Sequence, residues 1–542
     1  MSGEDDLPMP QLGLSEAEAA SRFERLQRKL VPLWKSIREL NQDEQTIVVI
    51  PSQSLEFECK GAEMQAYEER FLFLLLLLRQ PRARMIYVTS QTILPTTIDY
   101  YLGLLPGVIA SHARGRLFMV APEDRSPRPL SVKLLERPQL LERIRALIQD
   151  PERAHMVPFV VTLLERDLAL RLGIPLFGAD PRFFPLGTKS GCRRLFAEVG
   201  VAHPLGREDL WSLEAVVEAL ADLRQAKPGI GKAMVKLNEA VSGEGNAVID
   251  LAGLPAPGAA GEAASLAARV QAMRFEAPNV DLEEYAAKLE ERGGVVEERI
   301  VGEEIRSPSV QLRVTPLAEV ELLSTHDQLL GGPTGQLYLG CRFPADPAYA
   351  PLISREASKV GARLAREGVL GRFAVDFVVV RAVDGVWAPY GIELNLRKGG
   401  TTHPFLTLQF LTDGSYDEAR GVFVAPSGRE KCFVASDHLE SALYRAFTPD
   451  DLFDIVIRHG LHFDQTRQVG IVLHMLATLA ENGRVGATAV GNSPDDADRL
   501  LARLQAALED EARRALAPRA LPDRPLAAAA GLDHRMADQK SA

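Results

Sequence analysis

The sequence predicts a mixed α/β and α+β protein built from several domains, on three observations. At 542 residues the chain is too long for one ordinary core, and about three domains is the expectation for that length. In its N-terminal part, short apolar runs alternate with helical segments, the pattern of a parallel, Rossmann-like sheet. Later, paired apolar strands flank short loops rich in glycine, which is the signature of hairpins.

The elements follow in order. Ser15 to Leu40 has helical spacing (Phe23, Leu26, Leu30, Leu33) behind a cap-like Ser-Glu-Ala-Glu. Gln45–Ile50 reads as a buried strand, Ala62 to Leu78 as a helix, and Arg84–Thr89 as the next strand. Further apolar runs stand at Leu117–Val120 and Met156–Val160. No GxGxxG follows the first strand, so no dinucleotide is assigned. Leu172-Gly173-Ile174-Pro175 and the proline-rich Asp180 to Pro185 mark a boundary. A second α/β segment runs from Gly187 to about Gly421, with an Ala/Gly/Pro-rich loop at Ala252 to Ala264. Leu452 to Leu461 and Thr466 to Glu481 read as helices, Val485 to Val490 as a short strand and Asp495 to Leu516 as an amphipathic helix.

Composition excludes several classes. The chain is 46% hydrophobic and 25% charged with net charge −11, which disfavours nucleic acid and anionic membrane as partners. The longest apolar run, Phe71 to Leu78, is far short of the ~20 residues of a spanning helix. Met1 to Leu14 is acidic and does not read as a signal peptide. Cys59, Cys192, Cys341 and Cys432 are scattered with no CxxC, so neither a zinc site nor a disulfide framework is expected; a reducing, cytoplasmic setting fits.

The richest stretch is Phe373 to Pro404. Asp384-Gly385 between apolar runs is a hairpin signal. With those two residues as the loop, Val383 pairs with Val386 and the same register sets Asp376 opposite Glu393. Asn395, two positions on, faces the same side. Facing carboxylates repel unless something neutralises them, and all-oxygen donors suit a hard cation such as Mg²⁺. A solvated acidic face on an edge hairpin is the alternative, and Pro389 and Gly391 are places where a bulge would shift the register.

Other pieces are individually weaker. Strand Ala233–Leu237, ending near Lys236, is followed by Ser242-Gly243-Glu244-Gly245 and strand Ala247–Ile249. Gly243 and Gly245 allow close backbone approach to an anion, with Lys236 as a fixed cation; a plain hairpin loop is the alternative. Lys189 opens a helix but lies in Gly-Thr-Lys-Ser, which is not a Walker A loop. Gly294 to Ile305 is an apolar strand ending in acids: Glu297 or a neighbouring carbonyl could accept from a purine amino group, and Glu304 from a ribose hydroxyl.

The order Lys189, Lys236 with its loop, Glu297 to Glu304, then Asp376, Glu393 and Asn395 resembles the ATP-grasp ligases over roughly Gly187 to Phe410. Glu393-Leu394-Asn395-Leu396-Arg397-Lys398-Gly399-Gly400-Thr401-Thr402-His403-Pro404, with Gly460 to Asp464, Gly470 and His474, looks very like the pheganomycin-type peptide ligases. The resemblance implies an N-terminal Rossmann-like pre-ATP-grasp domain (44–185, behind a tail and helix at 1–43), a two-lobed ATP-grasp domain (186–425), a small C-terminal α/β domain (426–516) and a disordered tail (517–542). It implies ATP, with Lys189 and Lys236 on its phosphates and Ser242, Gly243 and Gly245 in the covering loop. Glu297 and Ile300 would border the adenine, Glu304 would hold the ribose, and Asp376, Glu393 and Asn395 would bind Mg²⁺. Glu298-Arg299, where a lysine often follows the adenine-side acid, and the insertion from Ala252 to Asn279 depart from better-known members.

Arg397 and Lys398 follow the metal strand and are assigned catalytic roles, with Arg397 suited to a carboxylate; a basic loop balancing local acids is the alternative. Thr401, Thr402 and His403 are assigned to the substrate pocket. His462 and His474 read as structural. The expected activity is ATP-dependent joining of a small acid to an amine or peptide through an acyl phosphate. A non-catalytic ATP-binding protein and a small-molecule kinase are the alternatives. A homodimer is left open as the one macromolecular partner.

Overall fold

The computed structural model describes residues 12–38, 44–55, 61–239, 245–276, 280–332 and 335–517. The N-terminal strands β1 (Gln45–Ile50), β2 (Ala83–Val88), β3 (Leu117–Val120) and β4 (Ala154–Pro158) form a parallel sheet in the order β3-β2-β1-β4. Parallel strands buried on both faces need continuous apolar runs, and Ile47, Val48, Val49 and Ile50 are all buried. The helix Glu16–Gln27 starts at a capping box made by Ser15 and Glu18. The apolar run expected to be an α-helix instead divides into an α-helix, Glu63–Glu69, and a 3₁₀ segment, Leu72–Arg79. All its leucines but the partly buried Leu77 are buried, and they join Met85 and Tyr87 to Phe405, Leu408 and Phe433 in one core.

A five-stranded antiparallel lobe follows. It contains β5 (Gly206–Leu210), β6 (Lys232–Leu237), β7 (Asn246–Asp250), β8 (Arg274–Phe275) and β9 (Gly294–Glu298), in the order β5-β9-β6-β7-β8. The second lobe contains β10 (Glu304–Arg306), β11 (Pro308–Val314), β12 (Val320–Gly331), β13 (Leu337–Phe343), β14 (Gly371–Arg381) and β15 (Trp387–Asn395). β14 is held by β15 on one edge and by β11 and β10 on the other. After a small hairpin, β16 (Ser415–Asp417) and β17 (Val422–Val424), the strands β18 (Cys432–Glu440), β19 (Gly470–His474) and β20 (Arg484–Gly491) continue the second lobe's sheet through β13 and β18, so nine strands share it. The expected boundary at 425 therefore does not interrupt the sheet.

One C-terminal expectation is overturned. Thr466 to Glu481 is not a helix: Gly470–His474 is strand β19, paired antiparallel with β20. Ile471, Val472 and Leu473 are buried there, and a short apolar run is ambiguous between helix and strand until a partner is known. The amphipathic helix Pro494–Leu516 is as expected, capped by Ser493.

Candidate active site

The β14–β15 hairpin positions the acids. Asp376 pairs with Glu393 and Ala374 with Asn395, as the sequence predicts. The turn does not follow the expectation. Ala382 N donates to Val386 O and Gly385 N to Ala382 O, each at 2.9 Å. The loop is thus Val383-Asp384-Gly385, with Gly385 at φ +82°, and Val383 does not pair with Val386. From Arg381 to Phe377 the partners run one residue away from the expected register, and an irregularity beside Ile392 restores it at Asp376. Without that bulge Glu393 would turn to the opposite face, because side chains alternate along a strand.

The acids are neutralised from several directions. Asn395 Nδ2 donates to Asp376 Oδ2 at 3.0 Å, which leaves the amide oxygen for a cation. Ser309 on β11 lies opposite Asp376, where its side chain works against the rise in that carboxyl's pKa. Burial and the Glu393 charge push the Asp376 carboxyl up to about 6. Burial would also raise Glu393, but Lys189, Arg397 and Lys236 outweigh it and hold the group below its usual range. The pair titrates jointly, with Asp376 as the higher partner. Lys189 Nζ lies 2.5 Å from Glu393 Oε1.

Lys189 opens the helix Lys189–Val199, capped by Thr188. Asn238, just beyond β6, ties this helix start to the first lobe: its Oδ1 accepts from Ser190 N at 2.9 Å and its O from Lys189 N at 3.2 Å. On β6, Lys236 is paired with Glu297 of β9, which also accepts from Arg193 Nη1 at 3.1 Å. The Glu297 carboxylate is thus committed to two cations, and a backbone carbonyl is the better acceptor for a base. Lys189, Lys236, Ile300, Asp376, Glu393 and Arg397 all line one cleft of about 680 Å³ between the lobes.

Other expected residues lie elsewhere. Lys398 is buried and its Nζ donates to Pro158 O at 2.5 Å, so its assigned catalytic contact is corrected to a pin between β4 and the loop that follows β15. Thr401 lines the cleft. Thr402, expected in the substrate pocket, instead accepts from Gly399 N and donates to Gln311 Oε1, both at 3.0 Å, shaping the loop from below. His403, also expected there, is buried with its Nε2 3.1 Å from His474 Nε2 and 3.5 Å from Asp437 Oδ1. Burial, then His474, holds the His403 imidazole well below its ordinary range. Glu304, expected on a ribose, is paired with Arg306 at 2.5 Å and Arg381 at 2.7 Å and does not line the cleft. Gly245 immediately precedes β7, its O accepting from Leu237 N and the Tyr285 hydroxyl, each at 3.0 Å. Ser242 and Gly243 lie outside the described residues. His462 is on the surface, and His474 is buried.

Sequence reasoning missed Ser309, Gln311 and the far end of the cleft. Ser309 and Gln311, both 2% exposed, alternate with apolar residues on β11, as does Arg313, and that period of two was a readable signal. Arg70, Asp437 and Arg484 come from the N- and C-terminal segments and had no local motif.

A family profile described as "IQCH-like, ATP-grasp" matches residues 185–274 and 260–417, and one described as "PGM1 C-terminal domain" matches 451–504. The chain is 32% identical over 448 residues to L-propargylglycine–L-glutamate ligase of Streptantibioticus cattleyicolor, covering 81% of this chain and 89% of that one. It is 27% identical over 417 residues to IQ motif-containing protein H of Danio rerio, covering 67% of this chain but 39% of that one. Among solved structures, N5-carboxyaminoimidazole ribonucleotide synthetase in its ADP complex has a TM-score of 0.50 at 11% identity, over 87% of this chain and 98% of that one, a likeness of fold. The chain belongs to the ATP-grasp ligase superfamily, in its pheganomycin-type peptide-ligase branch.

Proposed function

We propose that the protein is an ATP-dependent carboxylate–amine ligase that joins a small acid to an amino acid or peptide amine. The observation that supports it most is the convergence of Asp376, Glu393, Asn395, Lys189, Lys236 and Arg397 on one cleft. The donors fit Mg²⁺: two carboxylates and an amide oxygen, with charge to be neutralised on one face. Asp376, Glu393 and Asn395 would hold Mg²⁺, which would supply charge neutralisation to the ATP phosphates.

Lys189 and Lys236 would hold phosphate oxygens, each releasing its present carboxylate partner. Arg397, which lies near both Asp376 and Glu393, would hold the substrate carboxylate for in-line attack on the γ-phosphorus. The Pγ–O bond to ADP breaks as the carboxylate O–P bond forms. The amine nitrogen then bonds to the acyl carbon, phosphate leaves, and the nitrogen loses a proton. A carboxylate is already ionised at neutral pH, so its activation needs no base. Catalysis rests on positioning and charge.

The divisions 44–185, 186–425 and 426–516 are proposed as working units of this machine. A cytoplasmic setting is proposed with it: Cys192, Cys341 and Cys432 are buried free thiols, and among the described residues no helix is long and apolar enough to cross a membrane. The test is a panel of acids and amines, beginning with L-glutamate and L-propargylglycine, incubated with ATP and Mg²⁺ and read by mass spectrometry. New amide with equal ADP supports the ligase. A phosphorylated product without amide would make it a kinase, and no ADP with any pair would leave only nucleotide binding.

A further inference from the structure

Beyond the metal hairpin the cleft continues into a region the ATP-grasp profile does not cover. Its wall there comes from opposite ends of the chain: Arg70 follows helix Glu63–Glu69, Asp437 lies on β18 and Arg484 opens β20. Arg70 Nη1 donates to Asp437 Oδ2 at 2.8 Å, with both side chains at most 7% exposed. His474 Nε2, 2.9 Å from Asp437 Oδ1, backs the same carboxylate. Asp437, His403 and His474 could form a metal triangle, but the Arg70 guanidinium already supplies Asp437 with a cation. The cluster fixes Arg70 where it faces the cleft. Arg70 and Arg397 line the same cleft. Arg484 Nη2 lies 3.2 Å from Glu63 Oε1, and its Nε is buried with no hydrogen-bond partner among the described residues. A buried guanidinium N–H without an acceptor is costly and calls for one.

We propose that Arg70 and Arg484 form a carboxylate subsite that selects an amine substrate bearing a free carboxylate, as an α-amino acid does. This rests on the ligase reading. The reacting carboxylate must lie beside Asp376, Glu393 and Arg397, where phosphoryl transfer occurs, so guanidiniums one step farther from the nucleotide meet the partner that arrives second. Arg suits this because its donor fork matches a carboxylate. Arg70 is held rigid by Asp437, which lowers the entropy lost on binding. Arg484 lines the same stretch of the cleft and contributes a second guanidinium.

The test compares wild type, Arg484→Gln and Arg484→Lys, with the proteinogenic L-amino acids and L-propargylglycine as substrates and with their α-carboxamides as acceptors. Hydroxylamine replaces the amine in a parallel reaction, so hydroxamate reports acid activation without any acceptor carboxylate. Wild type is expected to prefer the free acceptor over its carboxamide by about 10- to 100-fold in kcat/KM. Arg484→Gln should lose that preference through a similar rise in acceptor KM while hydroxamate formation persists, and Arg484→Lys should recover part of it. Persistence of hydroxamate also shows that the variant is folded. An unchanged acceptor KM in Arg484→Gln overturns the subsite. A raised KM for the acid in the hydroxylamine reaction overturns the assignment to the amine substrate, since the carboxylate would then belong to the acid. No hydroxamate from wild type with any acid overturns the ligase reading itself.

Discussion

Lys189 and Glu393 form an ion pair 2.5 Å long across the junction of the helix Lys189–Val199 and strand β15. Each neutralises the other in the cleft. On the proposed reading, binding would exchange this pair for a lysine–phosphate and a carboxylate–cation contact, so neither group would be left without an opposite charge. Glu393→Gln removes the ligand and frees Lys189. We expect kcat to fall by about 10²–10³-fold, the scale seen when one electrostatic contact to a transition state is lost, with near-native circular dichroism. Steady-state ADP release at saturating Mg²⁺ measures it; unchanged turnover would remove Glu393 from the metal site.

Asp376 predicts a pH signature. Its folded value is pushed up to about 6, first by burial and then by Glu393, above an unfolded value of about 3.9. The folded state therefore holds the proton more strongly, and this residue's contribution to stability falls as pH rises from about 4 to about 6. Thermal melts across that window should show a component of this sign in wild type that is missing in Asp376→Asn. Identical profiles would count against the strained acid pair.

Glu297 is a buried hub between Lys236 and Arg193. Removing one partner from a buried ion network leaves the others uncompensated, at a cost of about 3–5 kcal/mol. Glu297→Gln should lower the urea midpoint accordingly, whereas Lys236→Met should chiefly raise the KM for ATP. Equal, small effects of both changes on stability would show that the network is not built as described.

Lys398 separates structure from catalysis. Burial, then Arg372, brings its ammonium down to about 7, far below an unfolded value of about 10.4. The unfolded chain thus binds the proton more tightly between those values, and stability should rise with pH from about 7 to about 10 through this residue. Lys398→Met should flatten that rise, measured by denaturation, while kcat changes little. A large loss of kcat with normal stability would restore the catalytic role first expected for it.

The acidic hairpin was legible because its pattern is local: two apolar strands around one turn, with two acids and an amide on them. Even so, the correct pairing of Asp376 with Glu393 arose from two departures that cancel, a three-residue loop and the irregularity beside Ile392. The lysines and the alternating α/β pattern were equally visible. Lys398 and His403 were misread because a basic or imidazole side chain looks the same in sequence whether it faces a cleft or, as here, Pro158 O and His474. Glu304 was misread because its arginine partner, Arg381, lies on a strand far along the chain. The Arg70–Asp437 and Glu63–Arg484 contacts join residues several hundred positions apart, and only the folded chain brings them together.

The most direct measurement is a structure of the protein with MgADP. The account predicts Mg²⁺ at about 2.1 Å from oxygens of Asp376 and Glu393, with Asn395 beside it and Lys189 Nζ moved from Glu393 to a phosphate oxygen. A nucleotide bound away from Lys236, or a cation held elsewhere with the Lys189–Glu393 pair still closed, would contradict it.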